Sequence, residues 1–253
     1  MIYDKLPVVL LSTMASEKSN STNHLIASYI LTHREEAVHM GIKDLAEACY
    51  VGTGSVSRFV REIGLTDFGE LRTLLNEADF SPTHSFTNEN RSEDLLACVS
   101  DALSKAVHSI DMNAVHELCE NIHSFQNVYA FGLLKAQSAA VSLQTDLSMA
   151  GKIILTTTAY KEQIDTISKA GKDDLILIFS YTGSYFSSHA FREKEKHLLL
   201  PKIWMIAGKS EDVPWFVNRT LSFESDGKRE AHPYTLLMAA SLIAEEYSFL
   251  YHQ

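Results

Sequence analysis

The feature that most limits the fold of this chain is a series of short apolar runs, each separated from the next by about the length of a helix. Residues 128–131, 153–157, 175–179 and 203–206 have the length and the β-branched and aromatic content of buried strands, and a weaker run follows at 220–223. Helical spacing of apolar residues fills the intervals at about 136–149, 162–170 and 186–198. Two further helices precede the series, at about 94–110 and 112–122, and one closes the chain at about 234–250. Strands and helices in alternation produce a doubly wound parallel sheet covered on both faces. Ligands of such sheets sit beyond the carboxyl ends of the strands, which directs attention to the loops after 128–131 and 175–179.

The first third of the chain is different, with no strand-like alternation. Leu25, Ile26, Tyr29 and Ile30 recur at helix spacing, with Ser21, Thr22 or Asn23 available as an N-cap. A second helix runs through Ile42, Leu45, Ala46 and Cys49, and a third through Val56, Phe59, Val60 and Ile63. Gly64 reads as the C-cap of the third helix, with Leu65 packing back, and another helix follows at about 68–75. The amino-terminal apolar patch is interrupted by Asp4 and Pro7 and is assigned no element. Residues 78–93 are rich in Ser, Thr, Asn and Pro without apolar periodicity, which is linker composition. The expected organisation is an all-α helix-turn-helix domain at 1–77, a linker at 78–93 and an α/β domain at 94–253.

Residues 42–64, IKDLAEACYVGTGSVSRFVREIG, carry the chemistry of the first domain. Val56, Phe59 and Val60 hold the third helix down, leaving Thr53, Ser55, Ser57, Arg58 and Arg61 facing outward. Short hydroxyl side chains at a helix N-terminus allow close approach to base edges in the DNA major groove, and arginine reaches guanine or phosphate. Lys43, at the start of the second helix, joins these five as the expected DNA-binding set, and Arg72 is a further phosphate contact. The same residues also suit a three-helix protein-contact module with Arg58 and Arg61 as solvated charge.

Charge sets a condition on the DNA reading. The 253-residue chain has a formal net charge of −10, and residues 1–80 hold seven Lys and Arg against eleven Asp and Glu, a net of −4. That excludes a non-specific nucleic-acid binder, which needs a basic surplus. Affinity has to come from local placement, doubled by a second copy. The three cysteines are far apart without CxxC spacing, so buried small hydrophobes are expected rather than a disulfide or metal site. No run approaches the roughly 18 apolar residues of a membrane span, and a cytoplasmic protein is expected.

The stretch LAEACYVGTGSVSRFVREIGLTDFGEL resembles the N-terminal module of the RpiR-type transcriptional regulators, with matches at Leu45, Ala46, Val51, Ser55, Val56, Arg58, Phe59, Arg61, Ile63, Gly64, Leu65, Phe68 and Leu71. The likeness covers about residues 21–80. The chain departs from that pattern at Gly52, where the family has Ser as the helix N-cap, at Gly54, and at Tyr50, a turn position that is often Gly.

The resemblance implies a C-terminal sugar isomerase (SIS) domain, a five-stranded parallel α/β fold that binds phosphosugars. Its first ligand loop corresponds to YAFGLLKAQSAA, which keeps Gly132 but places Leu134 and Ala136 at the family's second Gly and following Ser. Lys135, Gln137 and Ser138 stand in for the lost contacts, or the loop is a plain turn. The second, DDLILIFSYTGSYFSS, matches the S-x-[ST]-G signature: Ser180, Thr182 and Ser184 supply hydroxyls, Gly183 allows backbone approach, and a following helix N-terminus favours phosphate. The threonines at 156–158 face the same edge.

Together these features predict a transcriptional regulator of sugar or amino-sugar metabolism with no cofactor and no catalysis of its own. It is expected to bind double-stranded operator DNA as a homodimer or homotetramer under control of a phosphosugar effector. Two alternatives stay open. The SIS domain serves oligomerisation only, or the protein is a phosphosugar isomerase with an accessory helical domain, with His232, His189 and Glu224 as the available acid/base groups.

Overall fold

The computed structural model describes residues 6–78, 86, 89–187, 201–208 and 213–251. Two compact units emerge: Met1–Pro82 with Thr157–Ser168 and Ser187–His197, and Thr83–Thr156 with Lys169–Phe186 and Leu198–Gln253.

The first unit contains α1 (Leu6–Ser16), α2 (Thr22–Thr32), the single turn α3 (Arg34–Ala37), α4 (Ile42–Ala48), α5 (Thr53–Glu62) and α6 (Phe68–Glu77). Ile26, Ile30, Leu45, Val56, Phe59, Val60, Leu71 and Leu75 close one apolar core, each at most 2 % exposed. Leu6 and Leu10 join it from α1, an element not expected from the sequence. Pro7 does not break α1 because it lies in the first turn, where a helix N–H has no partner to lose. Local signals set the other boundaries. The Ser21 hydroxyl accepts from the His24 N–H at 3.2 Å, and Asp67 Oδ1 from the Glu70 N–H at 3.0 Å. At the end of α5, Gly64 takes φ +90° and the Leu65 N–H donates to the Val60 carbonyl at 3.0 Å, the hydrogen bond of a Schellman turn that buries Leu65.

The second unit is built on four parallel strands in the order β1-β2-β3-β4: β1 (Asn127–Gly132), β2 (Asp174–Phe179), β3 (Lys202–Gly208) and β4 (Arg219–Phe223). α7 (Arg91–Ser109), α8 (Met112–Ser124), α9 (Lys135–Met149) and α11 (His232–Tyr251) complete it; α10 (Tyr160–Lys169), between β1 and β2 in sequence, falls in the first unit up to Ser168. Val128, Ala130, Leu175, Leu177, Phe179, Trp204, Ile206, Leu221 and Phe223 share one face of the sheet and pack with Leu143, Leu147, Leu236, Ala240 and Ile243. Alternate residues of the inner strands point to the opposite face and are also apolar, as in a sheet covered on both sides.

Two expectations meet a different structure, and a third falls outside the described residues. The fifth strand, at 153–157, reduces to an isolated parallel bridge between Tyr129 and Leu155. Leu155 exchanges hydrogen bonds with Val128 and Ala130, and Ile154 is buried, but the chain leaves the sheet at once. Thr157 Oγ1 accepts from the Ala159 N–H and donates to Glu162 Oε2, turning the backbone into α10 before a ladder can extend. Second, α7 begins at Arg91, inside the expected linker; the rest of that linker lies mostly outside the described residues. The helix expected at 186–198 lies almost wholly outside the described residues, which end in a 3-10 turn at Tyr185–Ser187.

Candidate functional site

Two surfaces carry the functional residues, one on each unit. In the first, α5 starts from Gly52, whose carbonyl accepts from Ser55 and Val56 N–H, with no side chain to cap the helix. Val56, Phe59 and Val60 are fully buried. Thr53, Arg58 and Arg61 are exposed, Ser55 and Ser57 half-buried, and Lys43 is exposed on α4. The expected set therefore lies at the surface of α4 and α5. Asn23 Nδ2 donates to Glu62 Oε2 at 2.8 Å, tying α2 to the last turn of α5. A Cβ added at Gly52 or at Gly54 would meet nothing within 4 Å, so the first turn of α5 is open. Before it, Tyr50 sits at φ +55° and is 97 % exposed.

In the second unit the edge segment around Leu155 lies on one side of β1 and β2 on the other, so the strand order reverses at β1. Gly132 pairs with Phe179 at the carboxyl ends, which brings the loops after β1 and β2 out side by side at the position where open α/β sheets bind ligands. Gly132 is required there: a Cβ would come within 2.7 Å of the Ala136 backbone. Leu134 takes φ +49°, ψ −109°, a glycine-like conformation held by a leucine, and Lys135 and Ser138 are exposed on α9. Gln137 is buried. Its Oε1 accepts from the Gly132 N–H at 3.2 Å, and its Nε2 donates to Thr156 Oγ1 at 2.7 Å. Of the three threonines, Thr156 thus reaches the loop through Gln137.

The turn after β2 is compact. The Ser180 N–H donates to the Ile206 carbonyl, and the Gly183 N–H, at φ +71°, donates to the Ser180 carbonyl at 2.9 Å. Thr182 and Ser184 share a hydroxyl hydrogen bond of 2.6 Å, while Ser180 is buried. Tyr181, which sequence reasoning did not single out, stacks on His232 with ring centroids 4.4 Å apart. Burial, with the nearby Lys135 charge second, pushes the His232 imidazole down to about 4, and its Nε2 is buried without a hydrogen-bond partner among the described residues. Of the other proposed acid/base groups, Glu224 is exposed with its N–H on the Ser109 hydroxyl, and His189 lies outside the described residues.

Residues 10–82 match the helix-turn-helix domain of the rpiR family. This part of the chain is thus similar to a helix-turn-helix domain of that family. Among curated relatives, the HTH-type transcriptional regulator GlvR of Bacillus subtilis is 29% identical over 120 residues, covering 47% of this chain and 44% of GlvR. An HTH-type regulator of Providencia stuartii is 23% identical over 176 residues, 66% of this chain and 62% of its own. The chain thus spans less than two thirds of these relatives. Two solved structures share the fold: NanR of Vibrio vulnificus complexed with ManNAc-6P, with TM-score 0.54 and 18% identity over 97% of this chain and 92% of NanR; and the sugar isomerase domain of an RpiR transcription factor from Sphaerobacter thermophilus, with TM-score 0.54 and 15% identity over 64% of this chain and 92% of that one. The second unit therefore has the sugar isomerase fold. The buried cysteines Cys49, Cys98 and Cys119 are free, with burial pushing Cys49 up to about 11 and Cys119 up to about 12. No described helix is long and apolar enough to cross a membrane.

Proposed function

We propose that this chain is an RpiR-type, cytoplasmic transcriptional regulator that reads operator DNA with α5 and responds to a phosphosugar held at the carboxyl ends of β1 and β2. The observation that carries the DNA half is the exposure of Thr53, Arg58 and Arg61 above a fully buried Val56–Phe59–Val60 face. Short hydroxyl side chains along α5 and two exposed guanidinium groups match a recognition helix entering a major groove. Lys43, Ser55 and Ser57 complete the contact set. With a net acidic domain, binding as a homodimer or homotetramer supplies the second half-site.

For the effector half, Lys135 supplies a cation, Thr182 and Ser184 hydroxyls, and the Gly183 turn a close backbone approach, with Gly132, Ser138 and Ser180 around them. This combination suits a phosphorylated, polyhydroxylated ligand. NanR, of the same fold, is known with ManNAc-6P, which makes amino-sugar phosphates the first compounds to try. Differential affinity of the effector for two arrangements of the DNA-binding modules then sets the response.

Two measurements test the pair. Arg58→Ala should weaken binding to a duplex selected by the protein from a random library by about tenfold or more; unchanged binding removes α5 from the interface. A thermal-shift series of sugar phosphates should include one that raises Tm by a few degrees; no response from any of them leaves the sugar isomerase fold as an oligomerisation device only. Isomerase activity is the second reading, favoured by the buried His232 Nε2, which has no hydrogen-bond partner among the described residues and lies near Lys135. Turnover of a sugar phosphate that disappears in His232→Gln would establish it.

A further inference from the structure

Tyr50 is an exposed residue beside α5 that packing gives no reason to keep. Its side chain is 97 % exposed and makes no hydrogen bond or ring contact among the described residues. Its backbone sits at φ +55°, where a Cβ crowds the neighbouring carbonyl and where Gly or Asn is accommodated more easily. Tyrosine therefore adds strain here without adding buried area. The turn itself is secured by the main chain: the Tyr50 N–H donates to the Glu47 carbonyl and the Val51 N–H to the Ala46 carbonyl, at 3.0 and 2.9 Å. A residue without a side chain would serve this turn better.

Its position suggests what the side chain is for. Tyr50 lies between α4 and the N-terminus of α5, two residues before Gly52. In a helix-turn-helix the first helix crosses the DNA backbone while the second enters the groove, so the turn between them is carried to the groove rim, among the phosphates. The first turn of α5 is poor in side chains, with open space at Gly52 and Gly54. Residues 1–80 are also net acidic, seven basic against eleven acidic side chains, which limits ionic attraction to DNA. An uncharged hydroxyl donor on a rigid ring adds a phosphate contact without requiring charge, and tyrosine is among the side chains that make such contacts.

We propose that Tyr50 is a DNA-backbone contact, its hydroxyl donating to a phosphate oxygen at the rim of each half-site. The inference rests on the DNA-binding reading of α5. Its test uses the full-length protein, the duplex it selects from a random library and a scrambled duplex, with affinities measured by fluorescence anisotropy over a salt series. Tyr50→Phe should weaken both duplexes alike, by about fivefold, leaving the specificity ratio and the salt slope as in wild type, because a phosphate contact carries no sequence information and the lost group carries no charge. Tyr50→Gly should bind at least as weakly while melting at a higher temperature, an opposition that a purely structural residue does not produce. Wild-type affinity in both variants, with Arg58→Ala still impaired, would overturn the Tyr50 contact and leave the α5 reading standing. A smaller oligomer for Tyr50→Gly by light scattering would overturn it in favour of a subunit contact. If the wild-type protein selects no duplex, the DNA-binding reading fails and this contact with it.

Discussion

Tyr50 and Leu134 are the two residues other than glycine at positive φ among those described, one in each unit and each in a loop of a candidate site. They depart from glycine in different ways. At Tyr50 the φ of +55° is that of the left-handed helical region, the turn's main-chain hydrogen bonds are intact and α5 follows without distortion. At Leu134 the ψ of −109° lies outside that region, the side chain is half-buried, and α9 starts without a side-chain cap. A turn that needs only a left-handed residue accepts a large side chain pointing into solvent. A loop that requires a glycine-specific backbone stores strain when its glycine is replaced. The turn before α5 keeps a left-handed geometry, whereas the loop after β1 departs from it.

The largest expected effect lies next to Leu134. Gly132→Ala should destabilise the second unit by about 3 kcal/mol, since the added Cβ meets backbone atoms that have no rotamer to yield; a melting transition within a degree of wild type would show this loop to be softer than its contacts imply. Acid comes next. The folded-state pKa of His232 is depressed to about 4 against an ordinary value near 6.5, so the unfolded chain binds the proton more readily between those values. Its contribution to stability is present above about pH 6.5 and is lost as pH falls toward 4. Calorimetry from pH 7 to pH 5 should show the transition of the second unit moving down, and His232→Gln should flatten that dependence; parallel slopes for the two proteins would assign the acid sensitivity elsewhere.

Leu134→Gly should raise stability by about 1 kcal/mol, because relief of the strained backbone outweighs the partial packing lost and the extra freedom of the unfolded chain. Tyr50→Gly should raise it by only about half as much, since a left-handed tyrosine costs less than the Leu134 conformation. Chemical denaturation of the two variants measures both, and a larger gain at Tyr50 than at Leu134 would reverse the contrast.

The helices of the first unit were legible because their signals are local: Ser21 and Asp67 as caps, Gly64 as a stop, and Val56, Phe59 and Val60 on one face. α1 was not, because LPVVLLSTMAS lacks a polar stripe and Pro7 reads as a breaker until its place in the first turn is known. In the second unit, strand composition at 153–157 was genuine, but whether a segment at a sheet edge pairs once or repeatedly depends on where the chain next turns. That is decided by Thr157 and Glu162 rather than by the apolar run. The outward-facing residues of α5 were readable from helix periodicity alone. The ligand loops could be located, yet the pairing of Tyr181 with His232 joins residues 51 positions apart in sequence and has no local signal.

Gln137 gives the ligand loop a tenant of its own. The amide of Gly132, which a glycine-rich loop would offer to an incoming oxygen, already faces the Gln137 side-chain carbonyl, and the other end of that side chain is anchored on Thr156. An anion arriving at this amide would exchange one hydrogen bond for another rather than gain one, forgoing about 1 kcal/mol of affinity there. Selectivity would then fall to whatever the ligand meets beyond that amide: the Lys135 charge and the hydroxyls of Thr182 and Ser184.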